Sequence, residues 1–183
     1  AEQRGARRLR TDIATPRGPI AAEIALPGLH NAYNATAATA TALAMGIGPD
    51  AIARGLARSP AAFGRGERVP LQGRELVLLL AKNPTGANET VRTVLLDPEP
   101  PHLLIALNDR TADGHDISWI WDVDYEPLLE RAASLTLTGD RAHDLALRMR
   151  YAGLPTQRMS VVPEPEAALD HAVAVTPPGR TLY

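Results

Sequence analysis

ELVLLLAKNPTGAN, residues 75–88, changes character at its midpoint. Residues 75–81 (ELVLLLA) form a continuous apolar run, the pattern of a strand buried on both faces of a sheet. KNPTGAN then breaks into a polar turn ahead of a helix over 87–96. The same alternation continues toward the C-terminus. HLLIAL (102–107), ASLTLT (133–138) and residues 158–162 read as further strands, with Thr181 opening a fifth. An amphipathic helix over 140–151, closed by Gly153, and a helix over 164–174 lie between them. Strands separated by helices of about ten residues imply βαβ crossovers. The expected fold is therefore α/β, a Rossmann-like, mostly parallel sheet with flanking helices. In such sheets ligands gather in loops leaving the C-terminal strand ends. Residues 82–88 and 108–116 are two such loops, and both are polar.

Upstream the pattern differs. Residues 1–17 are polar and Arg-rich, without clear periodicity, and read as a frayed lead-in. PIAAEIAL (19–26) alternates weakly, as one edge strand would, and Pro27-Gly28 breaks it. An Ala/Thr run over 31–45 has the helix propensity of its alanines and side chains small enough for close packing. Gly46 and Gly48 end it, Pro49 suits the first turn of a second helix over 49–58, and Ser59-Pro60 closes that helix. The change near 61–70 divides the chain into a leading fragment, 1–62, and the α/β domain, 63–183. The missing initiator Met and the stop at RTLY read as a piece of something larger.

Composition excludes several classes. The 183 residues are 45% hydrophobic and 22% charged, too apolar for a disordered chain. A formal net charge of −2 argues against a nucleic-acid or polybasic membrane role. Without cysteine, the chain has no disulfide, no thiolate zinc site and no cysteine nucleophile of its own. No apolar run approaches the roughly 18 residues of a membrane span and no signal peptide opens the sequence, so a cytoplasmic location is expected. The 19 basic residues are 18 Arg and one Lys, Lys82, beside 31 Ala. A single lysine against that background marks a place where arginine would not serve.

Three stretches carry candidate chemistry. In GLHNAYNATAATATALAMGIG (28–48), Asn31 and Asn34 lie three apart at a helix opening and can point the same way. Amides that both donate and accept fit the edge of a purine base, although locally Asn31 reads more readily as a helix N-cap. In AKNPTGAN (81–88), amides at the helix start can hold an anion, with Lys82 adding charge. The P-loop spacing is absent, and a lysine snorkelling from the sheet edge is the plainer alternative. LNDRTADGHDISWIWDVDYE (107–126) holds Asp109, Asp113, Asp116, Asp122 and Asp124. Such a run can bind a divalent cation, but acids around a glycine such as Gly114 more often mark Asx turns, and the EF-hand spacing fails. His115 beside Asp116 hints at an acid–base pair, although loop neighbours usually point apart. Trp119 and Trp121, both tryptophans of the chain, would share one face of an extended segment, with core packing the alternative for at least one of them.

The 28–48 phrase, followed by Gly64-Arg65, resembles the Mur ligase family, the ATP-dependent enzymes of peptidoglycan synthesis. The resemblance implies that Asn31 and Asn34 face the adenine and that Arg65, on a hinge, approaches the ATP phosphates. It makes residues 1–62 the C-terminal fragment of the central ATPase domain. Lys82 and Asn83 are the cofactor-side candidates of the second stretch, where Asn83 holds the family's acidic position and its later lysine is missing. AKNPTGAN, the whole of 107–126 and LTLTGDRAHDLALRMRYAGL (135–154) resemble the C-terminal domain of the MurT family. MurT is the Mur-ligase-like subunit of lipid II isoglutaminyl synthase, and its partner is the glutaminase GatD. The resemblance runs from about Pro19 to the end.

It implies an amidation that uses ATP and Mg2+ in the full-length protein. The α-carboxyl of D-glutamate in the lipid II stem peptide is activated as an acyl phosphate, and ammonia released from glutamine by GatD attacks it. GatD supplies a cysteine and a histidine, and an aspartate of this loop completes the triad across the interface. That residue is Asp116, with Asp113 the second candidate. A carboxylate on the far imidazole nitrogen fixes the tautomer and stabilises the imidazolium.

Departures bound the reading. The family's P-loop, central ATPase core and cysteine-bearing zinc ribbon are absent from these residues, so the chain alone is expected neither to hydrolyse ATP nor to bind zinc. His115 stands where the family is expected to carry Arg. Two rivals remain: an amino-acid-adding ligase fragment of Mur or folylpolyglutamate type, whose 82–88 loop receives an amino acid, and a non-catalytic docking module.

Overall fold

The computed structural model describes residues 2–4, 8–26, 28–61 and 64–183. The junction expected at 62/63 and the break expected at Pro27 lie outside them. The leading residues are not frayed: β1 (Glu2–Arg4), β2 (Arg8–Ile13) and β3 (Ile20–Ile24) make an antiparallel sheet in that order. Leu9, Thr11 and Ile13 of β2 are buried, as are Ile20, Ala22 and Ile24 of β3. LRTDI (9–13) therefore does alternate, but one inward position is a threonine and the outward ones, Arg10 and Asp12, are charged, which hides the period. α1 (Leu29–Ala44) packs on β2 and α2 (Pro49–Arg58) on β3, burying Ala32, Ala35 and Ile52.

The second sheet takes β4 (Arg65–Leu71), β5 (Arg74–Leu79), β6 (His102–Ala106), β7 (Ser134–Thr138), β8 (Ser160–Val161) and β9 (Thr181–Leu182). Their order is β4-β5-β9-β6-β7-β8, parallel throughout except for β4 against β5. No element was expected over 63–70. β4 folds back along β5 through Gln72-Gly73, whose φ angles of 48° and 75° are both positive, as a type I′ hairpin turn requires.

α3 (Pro84–Leu95), α4 (Glu126–Arg131) and α5 (Ala142–Tyr151) cover one face of this sheet. α6 (Pro165–Val175) covers the other. Side chains sort by strand parity: Leu103 and Ile105 join the core under α3–α5, and Leu104 joins Leu182, Ala172 and Val173 on the α6 side. β5 is not buried on both faces. Within the strand only Val77 is fully buried, while Leu78 and the following Leu80 are 38% and 46% exposed. α6 packs over β6 and β7, and Leu76 joins its cluster, while Leu78 and Leu80 stay partly uncovered. Among the described residues, no helix is long and apolar enough to cross a membrane.

Candidate functional site

The C-terminal ends of β5, β6 and β7 open into loops that bond to one another. Lys82, just past β5, donates from Nζ to the carbonyl of Ala112, 2.9 Å away in the loop after β6. Asn88 of α3 accepts from the Asp124 N–H at 2.8 Å and donates to the Asp122 carbonyl at 3.4 Å. The root of the β6 loop is tied to the turn after β7. Asn108 Oδ1 accepts from the Asp140 N–H at 3.0 Å, and the Arg110 fork takes both Asp140 oxygens at 2.6 and 3.0 Å. That fork holds the Asp140 carboxyl below its ordinary range. Arg141 lies 3.6 Å from Asp109 and 3.3 Å from Asp144.

The loop then curls on itself, Asp113 and Gly114 N–H both donating to the Arg110 carbonyl. Asp116 ends it in an Asx turn, Oδ1 accepting from the Ser118 N–H at 2.8 Å. The Ser118 hydroxyl and then its N–H pull the Asp116 carboxyl below the usual range, so it stands ionised and exposed. Asp113 and His115 are exposed as well.

The aromatic segment that follows is a 3-10 turn, Ser118–Asp122, and not extended chain. Three residues per turn send Trp119 and Trp121 to different sides. Trp119 packs against the core, whereas Trp121 is 47% exposed and meets Tyr151 edge-on, ring centroids 5.5 Å apart. Arg148 of α5, a buried residue, pins this segment from below. It donates to the carbonyls of Ile120 (3.2 Å) and Val123 (2.7 Å) and to Glu126 (3.0 Å), its guanidinium over the Trp121 and Tyr125 rings. Burial pushes the Tyr125 phenol up to about 12.

The residues expected at the nucleotide side stand on neighbouring elements. Asn31 and Asn34 share a face of α1, Asn34 Nδ2 donating to Asn31 Oδ1 at 3.3 Å. The N-cap of α1 is Gly28, so Asn31 is not a cap. α1 approaches α3, with His30 Nδ1 4.0 Å from Glu89. Arg65 opens β4, exposed, paired with Leu79 at the end of β5 that leads to Lys82. Asn83 is the N-cap of α3 and starts it at Pro84, three residues before the expected 87. Little of that helix start is left for an anion: Pro84 has no N–H, Gly86 donates to Asn83 Oδ1 at 2.8 Å and Ala87 to the Asn83 carbonyl. Among the described residues, no three of His, Asp and Glu come together to hold a metal ion.

Sequence reasoning missed Asn88, Arg148 and the Arg110–Asp140 fork. Only Arg148 left a signal, an arginine on the apolar stripe of Leu145, Met149 and Ala152.

A family model described as MurT ligase C-terminal matches residues 80–183. The lipid II isoglutaminyl synthase (glutamine-hydrolyzing) subunit MurT of Streptococcus pneumoniae is 38% identical over 138 residues, 75% of this chain and 31% of that protein. The protein of the same name from Staphylococcus aureus is 35% identical over 132 residues, 71% of this chain and 30% of that one. The chain thus spans just under a third of these relatives. A crystal structure of MurF from Acinetobacter baumannii superposes with a TM-score of 0.78 at 22% identity, covering 99% of this chain and 40% of that one. A Mycobacterium tuberculosis folylpolyglutamate synthase complexed with ADP gives 0.62 at 20% identity, covering 94% and 43%. At those identities the two structures share the fold.

Proposed function

The chain belongs to the MurT ligase C-terminal family, and from that premise we propose that it is part of the ligase subunit of a lipid II isoglutaminyl synthase and lends Asp116 to a GatD-type glutaminase. The observation that carries this is the state of Asp116. An acid lent to another subunit has to be ionised, aimed and uncovered on its own chain. Asp116 is exposed, Ser118 favours its charge, and its loop is braced on both sides. An ionised carboxylate offers about four lone-pair sites, so the two bonds from Ser118 leave it able to accept again. Docked, it accepts the N–H of the glutaminase histidine, fixes that imidazole's tautomer and stabilises its protonated form while the cysteine attacks glutamine. Asp113, nearer the tip and without such a bond, is the weaker candidate.

In this reading residues 1–62 close the central ATPase domain and 63–183 form the MurT-type domain of a cytoplasmic enzyme acting on lipid II. ATP, with Mg2+, supplies the activation of the D-glutamate α-carboxyl in the whole protein. The touching amides of Asn31 and Asn34 fit an adenine edge, and the exposed Arg65 fits a phosphate. Lys82 and Asn83 fit less well, because the ammonium bonds Ala112 and the Asn83 amide oxygen caps α3. Among the described residues no cluster of three His, Asp or Glu suits the metal ion, and the share read for this chain from Asn31, Asn34 and Arg65 is purine and phosphate recognition. Alone it neither hydrolyses ATP nor binds zinc.

The test is Asp116→Asn in the full-length subunit, mixed with its glutaminase. Assembly persists and glutamine hydrolysis falls on the order of a thousandfold or more. Retained turnover in a stable complex removes the triad assignment. Weakened binding with normal turnover per complex points instead to a docking module.

A further inference from the structure

We propose that Lys82 is a positioning residue for Asp116, a role that rests on the triad reading above. The loop from Asn108 to Ile117 is fixed at its root by Asn108, Arg110 and Asp140, and beyond its end by Arg148 on the carbonyls of Ile120 and Val123. Between these anchors the chain from Thr111 to His115 is exposed, and its backbone bonds return to Arg110 in the same loop. Among the described residues, the hydrogen bond that ties this tip to another element is Lys82 Nζ to the Ala112 carbonyl. It spans 30 residues of sequence and joins the end of β5 to the loop of β6 four residues before Asp116.

The chemistry of the tie is specific. A charged donor makes a stronger bond to a neutral carbonyl than an amide does. A compact ammonium meets a single oxygen from any direction, whereas a planar guanidinium asks for a forked acceptor. That accounts for one lysine among 19 basic residues standing at this point. An acid that must reach a histidine on another subunit is sensitive to small errors of placement, and about 1 Å costs roughly a hundredfold in rate. Freeing the tip therefore lowers turnover without removing any group that touches glutamine.

The experiment places Lys82→Met beside Asp116→Asn in the full-length subunit complexed with its glutaminase. Lys82 is exposed, so the variant keeps its fold, checked by an unchanged melting temperature. The expected result is a fall in kcat for glutamine hydrolysis of about 10- to 100-fold, with KM for glutamine changing far less. Lipid II amidation drops further with glutamine as the nitrogen source than with free ammonia. Equal drops with both sources would put Lys82 in the ligase site and overturn the assignment, as would an unchanged kcat. An active Asp116→Asn complex would sink the triad reading itself, whereas an inactive one beside a fully active Lys82→Met sinks only the role of Lys82.

Discussion

A single methyl group at residue 139 would collide with the backbone that carries the acid loop. Gly139 has φ of 96°, and a Cβ there would stand 2.4 Å from the Leu107 carbonyl oxygen and 2.7 Å from Asn108 Oδ1. Neither neighbour can give way easily, since Leu107 also accepts from Arg141 and Asn108 holds Asp140. Gly139→Ala should therefore cost about 2–3 kcal/mol, read as a lower midpoint in urea unfolding. Under the proposed triad role of Asp116, glutamine turnover by the complex should fall in parallel, because the displaced loop is the one that ends at that residue. At the same scale, Asp116 gains its charge from Ser118 and not from a cation, so its ionisation should be insensitive to salt, as NMR titration of its carboxyl in low and high salt would show.

The 3-10 turn depends on Arg148 as a keystone. Its side chain is 7% exposed and bonds two backbone carbonyls and Glu126. Arg148→Met leaves those carbonyls unpaired in the interior and should destabilise the domain by about 2–4 kcal/mol. Trp121, which rests over the guanidinium, should change its fluorescence emission, and an unaltered spectrum with unaltered stability would contradict the keystone role. Elements with strong punctuation are legible in the sequence: α2 runs from Pro49 to Arg58 as its flanking Gly48 and Ser59-Pro60 imply, and β6 and β7 are apolar enough to announce themselves. β2 and β4 are not, because β2 gives one inward position to Thr11 between the charged Arg10 and Asp12, and β4 carries three charged residues against one buried position. The meeting of the 82–88 and 108–116 loops followed from both leaving C-terminal strand ends. The bond that joins them did not, since a carbonyl acceptor has no letter in a sequence.

Across the whole molecule, pH acts through a site far from these loops. His102 begins β6, buried, its Nδ1 2.8 Å from Ser134 Oγ. Burial, and then the charge of Arg180, lower its pKa from the ordinary 6.5. The folded state thus binds the proton less readily than the unfolded state. Its contribution is intact above pH 6.5 and is lost as pH falls through that value toward the lower folded one. The melting temperature should drop between about pH 7.5 and 5.5, and His102→Asn, which keeps a polar atom for Ser134, should flatten that slope. The neighbouring strand has a consequence of another kind. Thr181–Leu182 fills the slot between β5 and β6, and Tyr183 exchanges backbone bonds with His102 and Leu104. A ribosome releases β6 roughly 75 residues ahead of that filler, which at typical synthesis rates means about 4–15 s. Through that interval two bare strand edges face each other across a gap, which makes the nascent chain a natural client for a chaperone that shields unpaired edges.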